Sequence, residues 1–228
     1  MRLLRSTAII GSLTLVSRIL GLVRDMLIAT FLGAGVISDA FFTAFKLPNV
    51  FRKMFAEGAF NDAFIPLYAR RLEEEGEVSA DTFAKEAMSA LLVVVAFLVI
   101  AFEVTMPWSL SIIGFGLDKA VDHNTGISPY YLAVVYAQIT MPYLVFMSLT
   151  ALYSGILNTR NHFALAAAVP IVLNLFMIIT LFTLGFSGYN QKTIGYFLTI
   201  AITLSGFCLL YTSPSPRDRT RSRMPSSA

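Results

Sequence analysis

The chain has 228 residues, 56% of them apolar and 14% charged, with a formal net charge of +3. Soluble domains are roughly 45–50% apolar and about 25% charged, so the balance points to a membrane protein, and the small net charge argues for no nucleic-acid partner. A single cysteine, Cys208, excludes a disulfide framework, and the two histidines, His123 and His162, lie too far apart to suggest a metal site.

Arg2 and Arg5 precede an apolar run from Ala8 to Val16, which mimics a secretory leader. Ser17, Arg18 and further apolar sequence follow without a small-residue cleavage site, so the expectation is a retained first span. A membrane helix takes about 20 predominantly apolar residues. Six stretches qualify, at about residues 7–32, 38–68, 87–108, 130–157, 163–186 and 194–211. They predict an all-α integral membrane protein, a polytopic helical bundle over residues 1–207.

Lysines and arginines in the connecting segments set the orientation. With the N-terminus inside, Arg2, Arg5, Arg70, Arg71, Lys85 and Arg160 fall on the inner side, and Lys119 and Lys192 on the outer. Six against two places the N-terminus in the cytoplasm. The run Glu73-Glu74-Glu75 carries little weight in this rule and reads as a solvated face. Residues 208–228 change character to a Ser/Pro/Arg-rich tail. Alone, they read as disordered and basic. The string CLLYTSPSPRDR also resembles the translation of a sequencing-library adapter, so native sequence is expected to end near Phe207. No function is assigned to Arg217, Arg219, Arg221 or Arg223.

The first span carries Arg18, Arg24 and Asp25, which on insertion scales costs roughly 8–10 kcal/mol at mid-bilayer. Its 13 Leu, Ile, Val and Phe residues return only about 6 kcal/mol on the same scale. Such a helix is a poor solitary span and suits a wet cavity or a partner helix. Ser17 and Arg24 are seven residues apart, as are Arg18 and Asp25, so each pair falls nearly on one line. A packing ion pair is the competing explanation.

In the second span Asp39, Lys46, Lys53, Glu57 and Asn61 form a stripe at helical pitch, with Asn49 and Arg52 to one side. Pro48 should bend this helix. A helix lying on the membrane surface is the alternative, opposed by the short connection Gly33–Ile37. The intramembrane charges sum to five positive, Arg18, Arg24, Lys46, Arg52 and Lys53, against three negative, Asp25, Asp39 and Glu57. A cavity biased in this way suits an anion. Guanidinium matches phosphate oxygens by planar, bidentate hydrogen bonding better than an ammonium does. A diphosphate is therefore the natural ligand, though a carboxylate also fits. No Walker A, G-x-S-x-G or H-E-x-x-H motif is present, and Gly33-Ala34-Gly35 reads as a tight turn.

The segment SRILGLVRDMLIATFLGAGVISDAFFTAFKLPNVFRKMFAEGAFNDAFIPLY, Ser17 to Tyr68, resembles the N-terminal signature of the MurJ/MviN lipid II flippases. The pattern continues more loosely through NTRNHFALAAAVPIVLN, Asn158 to Asn174. The resemblance implies the N-terminal lobe of a transporter with two pseudo-symmetric bundles around a central cavity. It implies alternating-access movement of undecaprenyl-diphosphate-linked disaccharide-pentapeptide from the cytoplasmic to the outer leaflet, in the bacterial inner membrane. It assigns cavity roles to Arg18, Arg24, Asp39 and Arg52, and polar lining to Ser17, Asp25, Asn49 and Glu57. The implied partners are that lipid-linked diphosphate, membrane lipids and the C-terminal lobe of the same protein. No enzymatic activity and no cofactor are implied for this chain, and ion coupling attributed to the second bundle falls outside it.

Three other functions compete. A multidrug or cation antiporter of the same superfamily would want an acidic cavity. The membrane domain of an ATP-driven exporter would need longer inner extensions than Ala69–Glu86 and Thr159–His162. A non-transporting scaffold leaves five buried cations unexplained.

Overall fold

A computed structural model describes residues 2–53, 59–113, 128–160 and 164–212. These residues form eight helices and no strand. α1 (Arg2–Phe31) ends at Gly33, whose φ of 67° is left-handed and suits a residue without Cβ. α2 (Val36–Arg52) starts at once, with Asp39 in its first turn, where the helix dipole favours a carboxylate. Gly33-Ala34-Gly35 is thus a turn between helices, as its composition predicts. α2 continues through Pro48 to Arg52. Of the span expected over 38–68, the described residues give α2 and α3 (Ala59–Glu74), and residues 54–58 between them lie outside the described residues. Glu57 lies outside the described residues.

A turn at Gly76, φ 84°, leads into α4 (Glu77–Ile113). Its 37 residues reach about 55 Å, against a hydrocarbon core of about 30 Å. That length explains why α4 starts ten residues before the expected span at 87: its first turns hold Glu77, Asp81, Lys85 and Glu86. Beyond them α4 is two-sided. Val93, Phe97, Ile100, Val104, Trp108 and Ile112 are exposed, whereas Leu91, Val95, Val99, Met106 and Leu110 are buried. In a bilayer the exposed stripe faces lipid.

The fourth expected span, 130–157, is covered by α5 (Pro129–Thr140) and α6 (Tyr143–Thr159), which break at Met141-Pro142. Pro142 has no N–H to carry the helix ladder through this point. Shorter bonds from Leu144 N to Met141 O, 3.0 Å, and from Val145 N to Pro142 O, 3.1 Å, tighten the joint. The Thr203 hydroxyl donates to the Ile139 carbonyl at 2.6 Å, so a backbone carbonyl beside the break finds a partner inside the protein. α7 (Ala164–Phe186) and α8 (Gln191–Thr212) complete the bundle. α8 runs past Phe207, with Leu209 buried, and residues 213–228 lie outside the described residues.

α8 packs against α7, α6, α5 and α2, and α4 packs against α6, α5 and α3. The centre is apolar: Tyr136, Tyr143, Leu144, Leu152, Leu198 and Ile202 are almost fully buried. Small residues permit the close approach. A Cβ at Gly206 would stand 2.8 Å from the Tyr143 ring, and one at Gly185 would stand 2.6 Å from the Phe31 ring. Among the described residues, four helical segments are long and apolar enough to cross a membrane: Glu77–Ile112, Pro129–Thr159, Val169–Phe186 and Gln191–Tyr211. α1 and α2, which carry the charges expected at membrane depth, are not among them.

Candidate functional site: the polar face of α1 and α2

α1 packs chiefly on α7, and α2 on α5, so the two polar helices lie against different neighbours. Much of α1 is left open. Leu15, Ile19, Leu22 and Met26 are more than half exposed, and so are parts of the charged positions between them.

Arg24 is the best-held cation on this face. Its Nε and Nη2 donate to Asp25 Oδ1 at 2.9 and 2.7 Å, and its Nη1 donates to Asn174 Oδ1 on α7 at 2.8 Å. Asn174 Nδ2 in turn donates to the Ser17 carbonyl at 3.1 Å. One amide from α7 therefore reaches two points a pair of helical turns apart on α1, as the seven-residue spacing of Ser17 and Arg24 predicts. The Arg24 side chain is 21% exposed and that of Asp25 59%. Asp25 pairs with Arg24, its chain neighbour, and not with Arg18, which shares its line on the helix. Arg18 is exposed and makes no ion pair among the described residues.

On α2, Asp39, Lys46 and Lys53 are exposed while Ala40, Phe41, Ala44 and Leu47 are buried. The charged stripe read at helical pitch thus lies on the open side of this helix. Asn49 is half-buried and turns back on its own helix, donating to the Phe45 carbonyl at 3.1 Å. Arg52 is the last residue of α2. The structure brings Ser17, Arg24 and Asp25 together. It leaves Asp39 at the turn between α1 and α2, and Asn49 apart from them.

Three features escape the sequence reading. Asn174, the partner of Arg24, is 4% exposed on a helix with no charged residue. A lone amide in an apolar span needs a hydrogen-bond partner, and that was the available signal. Glu103 stands on α4, beside the buried positions Val99 and Met106. The sum of five cations against three anions omitted it, and omitted Asp62 in the first turn of α3 as well; with both, the expected spans carry five charges of each sign, and the cationic excess is gone. The third feature is a tie at the end of the bundle where α3 and α6 finish and α4 begins. Arg160 donates to Asp81 Oδ1 at 2.6 Å and to the Tyr68 hydroxyl at 2.7 Å. Burial works against the charge on Arg160, but Tyr68 and Asp81 outweigh it and hold its pKa above the ordinary value. Among the described residues, no cluster of His, Cys, Asp and Glu fit for a metal ion occurs.

Lipid-facing apolar helices, a close-packed interior and ionisable side chains laid open on α1 and α2 define a polytopic α-helical membrane protein with a polar wall. The family model described as lipid II flippase MurJ matches residues 28–213. The chain is 38% identical over 213 residues to the probable lipid II flippase MurJ of Rhizobium meliloti (strain 1021), covering 92% of this chain and 38% of the relative. It is 37% identical over 174 residues to the lipid II flippase MurJ of Burkholderia cenocepacia, covering 76% of this chain and 33% of the relative. A solved structure, lipid II flippase MurJ in an inward closed conformation, superposes with a TM-score of 0.66 at 32% identity, over 89% of this chain and 41% of that one. The chain belongs to the lipid II flippase MurJ family. It spans about two-fifths of the length of these relatives.

Proposed function

We propose that this chain forms the N-terminal lobe of a lipid II flippase, which carries the lipid-linked disaccharide-pentapeptide diphosphate across the bacterial inner membrane by alternating access. The observation that carries this reading is Arg24. A guanidinium at membrane depth is held by one carboxylate and one neutral amide, and three of its N–H groups are engaged in these bonds. A guanidinium has five N–H donors, so two remain for a phosphate. Arg18, exposed on the same helix, supplies further positive charge to this wall, and Arg52, the last residue of α2, is a further member of the proposed cationic set. Asp39 sits at the α1–α2 turn, where a conformational latch suits it better than substrate contact. The task is transport, with no covalent chemistry for the protein to perform. The second lobe of the complete protein supplies the facing wall of the cavity, and this lobe alone does not transport.

Six crossings with the N-terminus in the cytoplasm fit the charge asymmetry of the connecting segments. Native sequence gives way to the basic tail near residue 207. Both assignments are open to direct tests: cysteine labelling of Lys192→Cys from the outer side only, and resequencing of the locus. For the function itself, complementation of flippase-depleted cells by the complete protein should succeed with wild type and fail with Arg24→Ala at equal membrane abundance. Full growth with Arg24→Ala would overturn the reading.

A further inference from the structure

α7 contributes a single polar side chain to the charged face, and its geometry is specific. Asn174 is 4% exposed, accepts from Arg24 Nη1 at 2.8 Å and donates to the Ser17 carbonyl at 3.1 Å. Both ends of the amide are therefore used, which fixes its orientation. Gly21 lies between the two contacts on α1, and a Cβ there would stand 3.7 Å from Asn174 Nδ2, so a bare backbone faces the amide at that point. Arg24 is thus held from two sides, by Asp25 on its own helix and by Asn174 across the helix pair.

The two supports differ in charge. Asp25 neutralises the cation it holds, and its side chain is 59% exposed. The amide holds the same guanidinium and leaves its charge intact. A carboxylate at position 174 would hold Arg24 as firmly, but would leave the group with two anions and little pull on a third. Apolar packing at 174 would leave the guanidinium held from one side only, by the more exposed Asp25.

We propose that Asn174 is a positioning residue for substrate binding: its neutral amide aims the Arg24 guanidinium at the open face of α1, ready for a diphosphate, without adding a second anion beside Asp25. The proposal rests on the reading of Arg24 as a diphosphate ligand and extends it to a residue on a different helix. It also gives α7 a function beyond packing, since movement of α7 against α1 would move the guanidinium.

The test uses the complete protein, reconstituted in proteoliposomes, with translocation measured against the concentration of a fluorescent lipid-linked diphosphate. Asn174→Asp should raise the half-saturating concentration about tenfold, the size of one charge-assisted hydrogen bond, with an unchanged maximal rate; its melting temperature should also fall, because a carboxylate cannot donate to the Ser17 carbonyl. Asn174→Ala, which brings no charge into the bilayer, should raise it as well, and Asn174→Gln should restore part of the loss. A purely structural amide predicts a lower melting temperature in Asn174→Asp and Asn174→Ala, with the concentration dependence of wild type in both. Wild-type concentration dependence in both Asn174→Asp and Asn174→Ala overturns the proposal. Arg24→Ala is run in parallel. If it transports like wild type, the diphosphate reading itself falls. If it is inactive while both Asn174 variants are normal, only the positioning role falls.

Discussion

The α5–α6–α8 interior and the α1–α2 face are made of opposite materials. In the interior, tyrosines and leucines are almost fully buried, glycines admit the partner helix, and a carbonyl beside the break at Pro142 accepts from Thr203. On the α1–α2 face, charged side chains lie exposed, and the best-held of them still leans on an amide from α7. Lipid tails are as apolar as leucine, so association of membrane helices depends on packing and interhelical hydrogen bonds. The interior meets that need alone. The α1–α2 face does not, and its cost makes sense only where a polar ligand or water meets it.

That contrast can be broken most forcefully in the interior. Gly206→Phe places a ring where even a Cβ would stand 2.8 Å from Tyr143. Overpacking costs about 1–3 kcal/mol and occasionally more, and here we expect loss of folded protein from the membrane, read by detergent-resistant monomer on size exclusion. A milder change is Leu198→Ala, at a fully buried position on α8. The cavity should cost about 2–3 kcal/mol, seen as a lower melting temperature of the purified protein. Next comes the tie among Tyr68, Asp81 and Arg160. Arg160→Ala should cost about 1–2 kcal/mol, because the ion pair is only partly buried. Increased proteolysis between α3 and α4 would report it. Smallest of all, Phe97→Leu on the lipid-facing stripe of α4 should stay within about 0.5 kcal/mol of wild type. A large loss there would mean that this stripe meets protein and not lipid.

The sequence reading reached the two regions unequally. Membrane class and helical fold follow from apolar run length alone, and the charged stripe of α2 from a helical repeat applied to Asp39, Lys46 and Lys53. Breaks were harder to place. Met141-Pro142 sits inside an unbroken apolar run, where hydropathy gives no sign of a joint. Partner choice was harder still. Line-of-sight along α1 pairs Arg18 with Asp25, yet Arg24 reaches its neighbour because a long, forked side chain can fold back on the helix. Asn174 lies 150 residues from Arg24 in the chain. Only the packing of α1 on α7 shows that a solitary amide in an apolar span belongs to the charged face. Glu103 was overlooked for a related reason: one carboxylate barely disturbs the apolar average of a 37-residue helix.

The central claim is that the arginines of α1 and α2 exist for the ligand and not for the fold. The most direct measurement is translocation of a fluorescent lipid-linked diphosphate by purified, reconstituted full-length protein, paired with its melting temperature, for wild type and for Arg18→Ala, Arg24→Ala and Arg52→Ala. The account predicts that translocation falls about a hundredfold, as expected for truncating a well-engaged charge, while the melting temperature of each variant stays near that of wild type. Wild-type translocation in all three variants, or a collapse of stability that parallels the loss of transport, would contradict it and make these arginines part of the frame.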